Sequence, residues 1–143
     1  GNSVGASRMV ARIVELPQEL PEKETHLQER PMLRAQFADR WIDAEVGMLF
    51  SFRIMTMQAR GLVPNMEASV AKLFNSEMTQ RIAQLHMSLI GLYGNLWDAR
   101  REEGQHGAAA QRYLIAVSST IGGGTSEIQR NIIATRGLGL PRG

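Results

Sequence analysis

Apolar positions along the chain recur at steps of three and four, the signature of helices with one buried face. In the first segment, Ser7 to about Leu16, Met9, Val10, Ile13 and Val14 share a face, and Pro17 stops it. The polar stretch 17–30 reads as a connection. A second helix is predicted from Pro31, where a missing N–H costs nothing in the first turn, to about Arg60, before Gly61 and Pro64. Phe37, Trp41, Ala44, Met48, Phe52, Met55 and Ala59 form one stripe and Ala38, Ile42, Val46 and Leu49 another, so this helix is expected to be wide-faced and central. A third is predicted from Asn65, as N-cap with Glu67 in its first turn, to Gly91. It carries Ala71, Phe74, Met78, Ile82, Leu85 and Leu89. A loop is expected over Leu92–Gly107, its run Asp98-Ala99-Arg100-Arg101-Glu102-Glu103 a solvated turn. A fourth helix is predicted from about Ala108 to Thr120, and a fifth from Thr125 to about Arg136, ended by Gly137. Gly47 is the one glycine inside a helical pattern. Sustained alternation and Asn-Gly or Asp-Gly hairpins are missing. The expected fold is all-α: an antiparallel four-helix bundle with short extra helices, one domain over residues 1–143.

Composition narrows the classes of function. The 143 residues hold no cysteine, which removes thiol catalysis, disulfides and thiolate-bound metals. No apolar run approaches the ~18 residues of a membrane span. Gly1-Asn2-Ser3-Val4-Gly5 lacks the basic and apolar regions of a signal peptide. A cytoplasmic location is therefore expected, and the abrupt start reads as the interior of a longer chain. Sixteen basic against fourteen acidic side chains leave a net charge of +2. Residues 127–143 alone carry Arg130, Arg136 and Arg142 against Glu127. The dense basic stripe with interleaved aromatics of a nucleic-acid binder is absent, although the basic tail suits an anionic cofactor or cosubstrate. The eight methionines mostly fall on the apolar stripes and read as flexible core filler.

Little of the chain has the spacing that chemistry requires. His26, His86 and His106 are scattered without metal-ligand spacing, and His86, beside the core stripe, reads as a half-buried packing residue. The Gly-x-Ser-x-Gly elbow of serine hydrolases is also missing. One segment stands apart: Ile121-Gly122-Gly123-Gly124-Thr125-Ser126-Glu127-Ile128-Gln129-Arg130. Three consecutive glycines permit positive φ and close approach to the backbone, and a hydroxyl cap follows them. The segment is neither a Walker loop nor a dinucleotide fingerprint. It is read first as a helix–helix turn and second as a loop that contacts an anion or a polarised ring carbonyl.

Gly123 to Ala134, followed by Arg136-Gly137-Leu138-Gly139-Leu140-Pro141, resembles the C-terminal signature of acyl-CoA dehydrogenases. Glu67 to Leu73 and Leu85 to Gly94 are similar to earlier parts of the same family's C-terminal helical domain. The resemblance covers roughly residues 7–142 and has the flavour of the actinobacterial branch, which includes members acting on bulky or steroid side-chain thioesters. It implies the last domain of a three-domain flavoenzyme. Such enzymes remove the α-proton of an acyl-CoA with a carboxylate while the β-hydrogen leaves as hydride to FAD, and they pass the electrons to an acceptor. It also implies a homodimer or homotetramer in which this bundle forms the core, and a fragment that is inactive alone.

Carried over by position, the resemblance makes Gly124, Thr125 and Glu127 contacts to FAD. Gly94 and Gly91 match the glycine turn that approaches the neighbouring subunit's FAD. Many members have their catalytic glutamate where this chain has Gly123. Others place it at the start of an earlier helix, which here would precede residue 1, so no catalytic residue is nominated. The family often has glutamine at the positions of Ser88 and Glu127, and an Arg-x-x-Phe-Gly motif that residues 17–31 lack. Arg130 is expected to be an ion-pair partner within the bundle. Gly123 also motivates a second reading, a structural subunit paired with an active paralogue in a hetero-oligomer; a third, a free-standing oligomerisation module, is expected only if the native chain begins near residue 1.

Overall fold

A computed structural model describes residues 30–95 and 106–141, together with Gly5, Ser7, Arg8, Val10, Ala11, Val14, Glu15 and Trp97. The described residues of the first segment are helical, as its pattern predicts. Met9, Ile13, the connection over 17–29 and the charged run 98–103 lie outside the described residues. Four helices follow: α1 (Pro31–Ala59), α2 (Asn65–Ile90), α3 (His106–Ser119) and α4 (Ser126–Ile132). Among the described residues there is no strand. The chain is an all-α helical bundle.

Three stretches depart from the expected boundaries. The connection after α2 does not open as irregular loop: Gly91 turns with φ 66° and Gly91–Asn95 form a 3-10 helix. The last helix changes to a π-helix over Ile133–Gly137, where the Leu138 N–H donates to the Ile133 carbonyl at 3.0 Å. This wide turn brings Gly137 so close to Met66 that a Cβ at 137 would lie 2.2 Å from the sulfur. At the start of α2, Asn65 is already helical. The Ala68 N–H donates to the Pro64 carbonyl at 2.9 Å, so Pro64 is the cap and no side chain accepts there.

α2, not α1, is the central element; it packs against α1, α3, α4, the 3-10 helix and the π-helix. Its contacts with α1 pair Asp43 with Arg81, Gly47 with Asn75, Phe50 with Phe74 and Arg53 with Glu67, a register that runs antiparallel. At the crossing, a Cβ on Gly47 would lie 2.5 Å from the buried Asn75 amide oxygen, which is why a glycine interrupts this helical pattern. Val10, Leu33, Phe37, Ala44, Met78, Ile82, Leu85 and Leu89 form the core, with Phe74 packed against it.

The broad apolar face of α1 is mostly not core. Leu33, Phe37, Ala44 and Gly47 are buried, whereas Trp41, Ile42, Leu49, Phe52 and Met55 face outward, Leu49 with 63% of its surface exposed. A helix can bury only the strip that meets its neighbour, and a second apolar strip needs a second neighbour. The methionines behave alike: Met78 is fully buried, while Met32 and Met55 are exposed. His86 is fully buried rather than half-buried.

Candidate functional site

The end of α3 and the glycine segment that follows it are held by one stripe of α2. Lys72, Ser76 and Gln80 are four residues apart and so share a helix face. The Lys72 ammonium donates to the Gly124 carbonyl at 2.5 Å, and its Cε would stand 3.9 Å from a Cβ on Gly123. The Ser76 carbonyl accepts from the Ser119 hydroxyl at 3.2 Å, and the Gln80 amide donates to the Thr120 hydroxyl at 3.1 Å. Beside this stripe, Arg130 of α4 meets Glu77 at 2.5 Å. This is the ion pair expected for Arg130.

The loop is also tied to its own chain. The N–H groups of Ile121 and Gly122 donate to the Ser118 carbonyl at the end of α3, and the Ser126 N–H returns to the Thr120 carbonyl at 3.2 Å. The buried Gln129 side chain donates to the Gly123 carbonyl at 3.0 Å and would meet a Cβ on Gly124 at 2.6 Å. Gly123 and Gly124 have φ of 71° and 97°, values that L side chains rarely adopt. Position 123 therefore resists any side chain, a carboxylate included. Among the described residues no group accepts from the amides of Gly123, Gly124 and Thr125.

Thr125 caps α4 as its position predicts, its hydroxyl accepting from the Ile128 N–H at 3.3 Å. The exposed Glu127 carboxyl is held below the ordinary glutamate range, first by its own N–H, then by the Thr125 hydroxyl, with the positive charge of Arg130 adding to both. A carboxyl lowered in this way adds stability that is complete above the unfolded value and disappears as pH falls through the folded one. Thr125→Val removes the cap, and it is expected to cost about 1 kcal/mol and to move the Glu127 midpoint upward in a carboxyl NMR titration. An unmoved midpoint would place the control of Glu127 elsewhere.

Gly91 and Gly94 sit far from this loop. Lys72 and Ile90 are eighteen residues apart on α2, about 27 Å along its axis, and the two glycines follow Ile90. Gly91 is exposed with nothing beside it, whereas Gly94 is buried against Met87, whose sulfur would meet a Cβ at 3.2 Å. Within one chain the structure thus brings Gly124, Thr125 and Glu127 together and leaves Gly91 and Gly94 at the other end of α2. Ser88, near that end, bonds along its own helix, to the Gln84 carbonyl. Lys72, Ser76, Gln80 and Gln129 are absent from the sequence-derived candidates. Their signal was a polar stripe beside the apolar stripe of α2, together with a buried amide one turn into α4.

Among the described residues no cluster of metal-binding side chains occurs, and no helix is long and apolar enough to cross a membrane. Residues 1–138 match the family described as acyl-CoA dehydrogenase, C-terminal domain. Acyl-CoA dehydrogenase IpdE1 of Mycobacterium tuberculosis (strain ATCC 25618 / H37Rv) is 30% identical over 99% of this chain and 34% of its own length. Its namesake in Mycolicibacterium smegmatis (strain ATCC 700084 / mc(2)155) is 28% identical over 99% and 33%. The chain therefore spans about a third of these relatives. Among solved structures, the ChsE4-ChsE5 complex from Mycobacterium tuberculosis superposes with a TM-score of 0.77 and 28% identity, covering 99% of this chain and 36% of that one. The Tcur3481-Tcur3483 steroid ACAD has the same fold at 20% identity, with a TM-score of 0.75 over 99% of this chain and 37% of that one. The polar stripe and capped glycine loop are thus features of a bundle whose chain belongs to the acyl-CoA dehydrogenase family, matching its C-terminal domain.

Proposed function

We propose that this chain is the C-terminal bundle of a cytoplasmic, FAD-dependent acyl-CoA dehydrogenase that introduces an α,β double bond into an acyl-CoA thioester. The observation that carries the reading is the 121–128 segment, which lies within the family match and presents what a flavin requires. Gly123 and Gly124 bring bare backbone to the surface, three amides are without acceptors among the described residues, and Ile121 and Ile128 expose apolar surface beside them. When bound, FAD accepts the β-hydrogen as hydride. The chain's own part is to bind and orient: Gly124 and Thr125 offer backbone donors, and Glu127, held ionised by its own N–H and by Thr125, offers an acceptor at the same edge. The distance between the loop and Gly91 with Gly94 fits a site shared between subunits, each end of α2 serving a different flavin. The outward strip of α1, with Trp41, Leu49 and Phe52, supports assembly into a dimer or tetramer.

A second reading, the base-less subunit of a hetero-oligomer, is favoured by Gly123. A glycine cannot abstract a proton, and φ of 71° strains any replacement there. The ChsE4-ChsE5 structure, 28% identical to this chain, is that of a complex. The deciding experiment is an anaerobic flavin spectrum of the protein expressed from its native start, titrated with acyl-CoAs. Bleaching of the oxidised band by one of them is the expected result and would place the base outside this chain. Bound flavin that no acyl-CoA bleaches would favour the paired subunit, and a protein that takes up no flavin would defeat both readings.

A further inference from the structure

We propose that Lys72 and Gln129 are positioning residues that hold two successive peptide planes of the glycine loop, so that the Gly124 and Thr125 amides face away from the bundle as a preset pair of donors. Gln129 donates to the carbonyl of Gly123 and Lys72 to that of Gly124. In a trans peptide the N–H points opposite its carbonyl, and the chain has no cis bond. Anchoring the Gly123 carbonyl therefore aims the Gly124 N–H outward, and anchoring the Gly124 carbonyl does the same for the Thr125 N–H. Neither amide meets an acceptor among the described residues.

The anchors are needed because the loop does not hold itself. Glycine populates both signs of φ, so two adjacent glycines leave the planes between them free to flip. Gln129 is 6% exposed, and its amide packs where a side chain on Gly124 would have to go. Lys72 runs beneath Gly123 before reaching the next carbonyl. Fourteen of the sixteen basic residues in this chain are arginines, so a lysine here departs from its habit. The Lys72 ammonium makes this contact as one donor on one carbonyl. Its charge also polarises the peptide it grips and strengthens the Thr125 N–H as a donor.

A preset donor pair of this kind suits a carbonyl or anionic oxygen on a ligand. That the ligand is the flavin rests on the function proposed above, so the test separates the two. In the 143-residue chain, backbone 15N relaxation of Gly123, Gly124 and Thr125 reads the anchoring without any ligand. Order parameters near 0.85 in the wild type are expected to fall below about 0.6 in Lys72→Met, with far-UV circular dichroism unchanged, and to recover in Lys72→Arg. In the protein expressed from its native start, Lys72→Met is expected to weaken FAD binding about tenfold, and Lys72→Arg to restore most of it. Unchanged order parameters overturn the inference whatever binds. Ordered-to-mobile behaviour with equal FAD affinity in Lys72→Met overturns the role toward the ligand. A wild type that binds no FAD defeats the functional reading and leaves the anchoring to the relaxation data. Should Lys72→Met fail to fold, Gln129→Leu loosens the neighbouring peptide plane and is read in the same way.

Discussion

Ile82→Ala is expected to lower the stability of the bundle by about 2–5 kcal/mol, measured as a shift of the urea midpoint at constant slope. Ile82 is fully buried within α2, the helix against which α1, α3, α4, the 3-10 helix and the π-helix all pack. Its neighbours in the core come from three helical segments, with Val10 ahead of α1, Leu33 and Phe37 on α1, and Met78 and Leu85 on α2 itself. Truncation removes three carbons whose space those neighbours cannot all collapse into, so a cavity term adds to the lost transfer energy. A domain of this size is stable by about 5–15 kcal/mol, and one substitution then removes a large share. Val63→Ala, at a position 75% exposed between α1 and α2, is the control and is expected to change stability by less than about 0.5 kcal/mol. Equal effects at the two positions would mean that α2 is not the centre of the fold.

The second large effect concerns assembly. Leu49→Lys combined with Phe52→Glu is expected to convert the chain from a dimer or tetramer to a monomer at micromolar concentration in light scattering, with helicity unchanged. Both side chains stand more than half exposed on the outward strip of α1, beside Trp41, Ile42 and Met55. Buried against a partner, a leucine or phenylalanine side chain contributes about 1.5–3 kcal/mol, and an unpaired charge placed in the same contact costs several more. Together these amount to a loss of affinity of at least a thousandfold. A wild type that scatters as a clean monomer would remove the role given to this strip, and an oligomer that survives both substitutions would move the interface to another face. The outward positions of α3, such as Leu114 and Ile115, are the next to substitute in that case.

Helix type, helix number and most ends were legible in the chain because they follow from local rules. The period of the apolar residues marks α1 to α4. Pro31 opens α1, Gly91 turns out of α2 with positive φ, and the Thr125 hydroxyl caps α4. Each is an interaction between residues within about one turn of each other. The π-helix over Ile133–Gly137 escaped that reading: it sets Gly137 against Met66, seventy-one positions away, a contact that no local pattern marks. The glycine loop was visible as a motif for the same local reason, and as a resemblance it led to the family that the match over residues 1–138 shows.

Burial was not legible, because it depends on how many neighbours a helix has. Two apolar stripes on α1 and one on α2 made α1 look central, yet among the described residues the strip that packs inward runs through Leu33, Phe37, Ala44, Gly47 and Phe50, and α2 took the middle. The anchoring of the loop was hidden for a related reason. Lys72 and Gly124 are fifty-two positions apart, and no period or motif relates two residues at that separation. Local sequence therefore set which helices form and where a backbone left free by three glycines lies. Packing decided which apolar faces remain outside, and through Lys72 and Gln129 it decided which way that backbone points, since a glycine peptide has no preference until something outside it grips the carbonyl.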